Sequence, residues 1–162
     1  MPVKSLLDAK TEAMLNEAIA NELFASNLYR HVANHCQRLG YFGAHKFFLA
    51  EAGAEMAHYQ TLANYINDRG SVAKVPKVPA MDEPIASLRD ALTAAYDTEA
   101  YLGKKYEQWY RACECVTTQQ FLLHSLEDQR KSVGELGDFL ARLDRAGNNE
   151  AAILIVDKEL GE

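Results

Sequence analysis

The chain has 162 residues, 48% of them apolar and 25% charged, a balance that excludes disorder and supports a buried core. Lys and Arg total 17 against 23 Asp and Glu, and the net charge of -6 argues against a nucleic-acid binder built on a basic face. The length suits one domain, 1–162, and the scarcity of breakers (9 Gly, 4 Pro) argues against a β-sandwich or barrel and for helices.

The chain opens Met1-Pro2-Val3-Lys4-Ser5-Leu6-Leu7-Asp8, where an acid arrives too early for a signal-peptide apolar region. No apolar run approaches the ~20 residues of a membrane span. A cytoplasmic protein with no membrane partner is the expectation. Cys36, Cys113 and Cys115 give an odd count with no second pair to complete a thiolate metal site, so they read as ordinary reduced thiols.

Periodicity divides the chain into four long helices and a short fifth. The first spans about Ser5 to Leu39 and is closed by Gly40; the second spans about Ala44 to Arg69 and is stopped by Gly70. Pro76, Pro79 and Pro84 forbid helix between Gly70 and Pro84. A third helix follows over about Ile85 to Arg111 and a fourth over about Thr117 to Arg145, completing a bundle in 1–145. Gly147-Asn148-Asn149 ends it and leads to a short helix, Glu150 to Leu160, within 146–162.

The short links after the first and third helices make those neighbours antiparallel. The stretch from Gly70 to Pro84 could reach roughly 50 Å when extended, longer than a helix of about 26 residues at roughly 40 Å. It reads as a crossover that sets the second and third helices parallel. An all-α four-helix bundle with one long crossover has the ferritin-like connectivity.

Each long helix carries an apolar stripe, and each stripe is interrupted by a metal-capable side chain. The stripes read Leu15, Ala18, Glu22, Ala25, Tyr29, Val32, Cys36; then Phe48, Glu55, His58, Leu62, Tyr65; then Leu88, Leu92, Tyr96, Glu99, Leu102, Tyr106; then Leu122, Leu126, Gln129, Val133, Leu136, Leu140, Leu143. Glu22, Glu55, His58, Glu99 and Gln129 thus point at one axis, with no Lys or Arg in any stripe to neutralise the carboxylates. Buried carboxylates without a cation cost several kcal/mol unless metal-bound. Glu55 and His58 form Glu-x-x-His on one helix face, and carboxylates with an imidazole suit a di-iron or di-manganese site. The closing run Ala151 to Val156 is apolar almost without a break and calls for burial beyond its own bundle, which implies a homo-oligomer.

Over nearly its whole length the chain resembles a non-haem ferritin. The residues that carry the resemblance are Asn21-Glu22-Leu23 with Tyr29, Ala54-Glu55-Met56-Ala57-His58, Thr98-Glu99, Glu127-Asp128-Gln129, Glu135-Leu136-Gly137-Asp138 and the closing Asp157-Lys158-Glu159-Leu160. The resemblance implies iron storage in a shell of 24 subunits, with Fe(II) oxidised by O2 or peroxide at a di-iron ferroxidase centre. It makes Glu22, Glu55 and His58 ligands of a first iron, Glu55, Glu99 and Gln129 ligands of a second, and Tyr29 a hydrogen-bonding partner within the centre. Gln129 gives this bacterial-type chain a eukaryote-like residue there.

The chain also departs from relatives of that kind. Gln129 and Ser132 stand where bacterioferritins have a second Glu-x-x-His, and Met56, which matches their haem ligand, is shared by other ferritins, so no haem is expected. Ala54, Lys131 and Ser132 replace the glutamates of a third iron site. Ala54, Ala57 and Gln60 replace an acidic cluster that faces the mineral, leaving Glu51 as either a partial substitute or a solvated surface residue. Gln119-Gln120-Phe121-Leu122 lacks the acids of the animal three-fold pore. Two other readings stay open: a related di-iron enzyme (a peroxidase or DNA-protecting mini-ferritin), and a shell subunit without activity.

Overall fold

The computed structural model describes residues 3–162; Met1 and Pro2, part of the N-terminal reading above, lie outside them. Five helices follow in order: α1 (Ala9–Leu39), α2 (Phe42–Asp68), α3 (Leu88–Ala112), α4 (Val116–Ala146) and α5 (Glu150–Leu160). Among the described residues no helix is long and apolar enough to cross a membrane.

Local chemistry sets the ends. The α1 helix begins at Ala9 and not at Ser5 because Asp8 caps it, accepting from the Thr11 N–H at 2.8 Å and from the Thr11 hydroxyl at 2.9 Å. The residues before it are tied elsewhere: Leu6 N–H donates to Arg69 C=O at 2.8 Å, and the Ser5 and Ser71 hydroxyls pair at 2.9 Å. Gly40, at φ 85°, ends α1 in the left-handed turn that only a residue without Cβ adopts cheaply. The α3 helix starts at Leu88, later than Ile85, because the Ser87 hydroxyl accepts from Asp90 N–H at 3.0 Å while Asp90 returns a bond to Ala86 N–H.

Paired contacts fix the topology. Ser26 donates to Ala52 C=O at 2.7 Å and His45 bonds Ala33 C=O at 2.9 Å, so α1 and α2 run antiparallel. Tyr29 donates to Glu99 and Tyr106 to Glu22, so α1 and α3 are antiparallel as well. It follows that α2 and α3 are parallel, as the crossover length predicts. The crossover runs alongside α1: Lys74 N–H donates to Asn16 at 2.8 Å, and His31 Nε2 meets Glu83 C=O at 2.8 Å.

The core is a single cluster drawn from all five helices. Every residue of the α1 stripe is buried, whereas Leu126, Val133 and Leu140 on α4 are only half-buried. Cys36, Cys113 and Cys115 are free thiols, and burial, followed by the charge of Asp157, pushes the Cys36 thiol up to about 12.

The fifth helix is covered only in part by its own bundle. It packs on its own bundle, against α2 and α4, through buried Val156, Asp157 and Leu160, and Glu159 pairs with Arg142 at 2.7 Å. Leu154 and Ile155 remain exposed. The docking rests on α2, whose N-cap, Tyr41, offers no side-chain bond. Asp157 supplies the cap from a distance, accepting from Gly43 N–H at 3.1 Å and Ala44 N–H at 2.7 Å. For this reason α2 begins at Phe42, two residues before its expected start. Gly43 has to lack a side chain, because a Cβ there would run into the carbonyl oxygen of Asp157. Gly43→Ala should therefore lift α5 and cost about 1–3 kcal/mol. Hydrogen exchange over residues 150–160, with chemical denaturation, checks this; unchanged protection of α5 would contradict the docking account.

Candidate metal centre

Glu22, Glu55 and His58 come together, Glu99 is close enough to act electrostatically on Glu55, and Gln129 is buried on α4. Glu22, Glu55, Glu99 and Gln129 expose only 1, 2, 1 and 3% of their surface, and Tyr29 only 1%. His58 stands at the edge with 31% of its side chain exposed. Oxygen and nitrogen atoms of Glu22, Glu55 and His58 lie within 4.8 Å of one another. His58 Nδ1 is 3.1 Å from Glu55 Oε2 and 3.7 Å from Glu22 Oε2, so this nitrogen faces the carboxylates. Its other nitrogen, Nε2, lies 3.5 Å from Asp128 Oδ2, an arrangement that orients an imidazole ligand.

Two tyrosines cross-link the helices around this cluster. The Tyr29 hydroxyl on α1 donates to Glu99 Oε1 on α3, and the Tyr106 hydroxyl on α3 donates to Glu22 Oε1 on α1. Burial, and then the charge of the carboxylate each one meets, pushes both phenols well above their ordinary range, so both stay protonated donors. What is left over decides the chemistry. Glu22 Oε2, Glu99 Oε2 and Gln129 Oε1 are buried acceptors with no hydrogen-bond partner among the described residues. An unsatisfied buried acceptor costs about 1–3 kcal/mol, more when charged. Glu22 and Glu55 beside the His58 imidazole make an oxygen-rich, single-nitrogen donor set that fits hard or borderline divalent cations.

Without a cation the cluster holds protons. Burial and the adjoining Glu22 carboxylate push Glu55 up to about 10. Bonding to Glu22 and Glu55 outweighs burial at His58 and raises it to about 11. Burial would also raise Glu22, but the neighbouring Glu55 and His58 and the bond from Tyr106 hold it below the usual carboxylate range. Burial carries Glu99 up to about 7 against the lowering effect of Tyr29. Glu55 and Glu99 are thus pushed toward their neutral forms and His58 toward its cationic form, with Glu22 favoured as the anion of the cluster.

A family model described as the ferritin-like domain matches residues 12–146. The chain belongs to the ferritin-like domain family. It is 29% identical, over 98% of its length and 94% of theirs, to proteins of Staphylococcus aureus named bacterial non-heme ferritin. A protein of Haemophilus influenzae named probable bacterial non-heme ferritin-like protein is 26% identical over 96% of each chain. In fold the chain superposes on an open-pore ferritin from the archaeon Archaeoglobus fulgidus with a TM-score of 0.92, at 22% identity and over 96% of this chain and 98% of that one. Within this ferritin-like frame the family model ends with α4, so α5 lies outside the matched segment.

The peripheral positions divide. Met56 and Ala57 are exposed on the outer side of α2 with Gln60, and Lys131 is exposed on α4, while Ala54 and Ser132 are half-buried. Glu51 is half-buried, and burial together with the charge of Glu135 raises its carboxyl. Two residues escaped the sequence reading. Tyr106 stood in the α3 stripe without a role, although the seven-residue step from Glu22 to Tyr29 recurs from Glu99 to Tyr106 and could have exposed the reciprocity. Asp128 was quoted only as part of a motif, and nothing in its spacing announced that it reaches His58.

In the metal-free protein, NMR of glutamate labelled with 13C at the side-chain carboxyl should show Glu55 still protonated at pH 7 and Glu99 titrating near neutrality. Every carboxyl titrating between pH 4 and 5 would contradict this electrostatic account.

Proposed function

We propose that this chain is an iron-storage ferritin subunit that oxidises Fe(II) at a di-iron ferroxidase centre and passes Fe(III) to a mineral held inside a homo-oligomeric shell. The observation that carries the reading is the cluster of Glu22, Glu55 and His58 atoms within 4.8 Å of one another, with buried oxygens of Glu22, Glu99 and Gln129 left without partners. Membership of the ferritin-like family and likeness to bacterial non-heme ferritins support the storage role. Iron is the substrate here and not a resident cofactor.

In this reading Glu22, Glu55 and His58 hold one Fe(II), and Glu55, Glu99 and Gln129 the other. Glu55 bridges the pair. With O2, two Fe(II) give up two electrons, two protons are taken up and hydrogen peroxide forms; with hydrogen peroxide as oxidant, two electrons and two protons yield two waters. Carboxylate oxygens favour Fe(III), the harder cation, over Fe(II). Gln129 is neutral and leaves the second site without a fourth carboxylate, so this site binds its ion more weakly and lets the oxidised product move on. The exposed Leu154 and Ile155 on α5 offer apolar surface to neighbouring copies in the shell, for which the family resemblance suggests 24 subunits. The cytoplasm is the matching compartment.

Two outcomes are expected. Glu55→Ala should abolish rapid Fe(II) oxidation in stopped-flow mixing at two irons per subunit while the subunit stays folded, because a buried carboxylate is not needed by the apo fold. Oxidation as fast as in the parent chain would refute the assignment. Metal binding must also displace a proton from Glu55 and another from His58, so affinity for Zn(II), a redox-inert probe, should weaken as pH falls. The change is roughly tenfold per pH unit for each proton released. Native mass and iron analysis after aerobic Fe(II) loading tests storage itself: a closed assembly with many irons per subunit is expected, and uptake that stops at two per subunit would contradict it.

A further inference from the structure

The two tyrosine–glutamate bonds are equivalent in kind but do not serve the same ligand. Glu22 and Tyr29 stand seven residues apart on α1, and Glu99 and Tyr106 stand seven apart on α3. Because the two helices are antiparallel, each tyrosine falls level with the other helix's glutamate, and both bonds form at once. In each carboxylate the same division results: Oε1 accepts the phenol, and Oε2 is left buried and unpartnered. A carboxylate pinned in this way offers a single oxygen, aimed inward.

The Tyr106 ring is itself fixed. It is fully buried and meets Trp109 edge-on, with ring centroids 5.2 Å apart and planes at 86°. Lys105 Nζ lies 5.1 Å over the Trp109 ring and pairs with Glu17 at 2.7 Å. A contact chain thus runs from solvent through Trp109 and Tyr106 to Glu22. A packing role would be met by phenylalanine; a hydroxyl aimed at a buried carboxylate is not needed for packing.

We infer that Tyr106 is a positioning residue for the metal site built on Glu22, Glu55 and His58, and that Tyr29 does the same for the site built on Glu99. This inference rests on the metal-centre reading proposed above and deepens it: each tyrosine sets the affinity of one site and not of the other. By holding Oε1, Tyr106 keeps Glu22 in the orientation that presents Oε2 toward His58 Nδ1. An outer partner that orients a ligand in this way typically contributes about 10–100-fold in metal affinity.

The test is Zn(II) calorimetry on the full chain, on Tyr106→Phe and on Tyr29→Phe, read together with Trp109 emission. Trp109 is the only tryptophan, so its emission reports the Tyr106 side of the centre. In the parent chain the tighter Zn(II) equivalent should change Trp109 emission. Tyr106→Phe should weaken that tighter site about 10–100-fold and leave the other unchanged, and Tyr29→Phe should do the reverse. A purely structural role would lower the melting temperature of the metal-free protein without separating the two sites. Equal losses at both sites, or none, in Tyr106→Phe would overturn the inference while leaving the metal-centre reading intact. Should Tyr106→Phe not fold, the parent chain decides: Trp109 emission indifferent to the tighter Zn(II) equivalent overturns the inference. A parent chain that binds no Zn(II) at all overturns both readings.

Discussion

Three carboxylates lie almost wholly out of water in the middle of a helical bundle, and no Lys or Arg shares their helix faces. Desolvation of this kind is among the largest penalties a fold can carry, and three devices answer it here. A proton neutralises Glu55, the imidazolium of His58 sits beside Glu22 and Glu55, and a phenol donates to each of Glu22 and Glu99. These devices make the metal-free state tolerable without saturating the donors. The acceptors that stay unpartnered are those a cation would satisfy. Under the proposed function the site is poised between holding protons and holding metal.

The scaffold serves that exchange by rigidity. The cross-links from α1 to α3 place Glu22 and Glu99, the packing of Tyr106 on Trp109 holds one cross-link from behind, and Asp128 meets the outer nitrogen of His58. At the far end α5 is secured through Asp157, which completes the unfinished N-terminus of α2. The same helix that carries Glu55 and His58 is therefore capped by the last helix of the chain. Docking of α5 and the placement of Glu55 and His58 are linked through one element.

Much of this was legible from the sequence because a helix repeats. Period 3.6 puts Glu22, Glu55, Glu99 and Gln129 inside four apolar stripes, and all four are buried. The crossover could be read from three prolines and a length, and the parallel run of α2 and α3 agrees with it. What escaped was chemistry between residues far apart in the chain. The start of α2 was placed late because its cap comes from Asp157, which shows no local signal. Ser5 to Leu7 looked helical until Asp8 capped the helix behind them. The apolar run Ala151 to Val156 in α5 was read as needing burial beyond its own bundle; Val156 finds burial at home, while Ala151, Leu154 and Ile155 stay exposed. Tyr106 was visible as a core aromatic, but its role depends on the antiparallel register of α1 and α3, which a stripe alone does not give.

The central claim is that the unpartnered buried acceptors exist to hold two metal ions that share Glu55. Anomalous diffraction from crystals of the protein soaked in Zn(II) tests this directly. The account predicts two peaks per subunit, one among Glu22, Glu55 and His58 and one among Glu55, Glu99 and Gln129. Zn(II) bound only at surface acids or at histidines outside the bundle, with the core cluster still filled by protons, would contradict it.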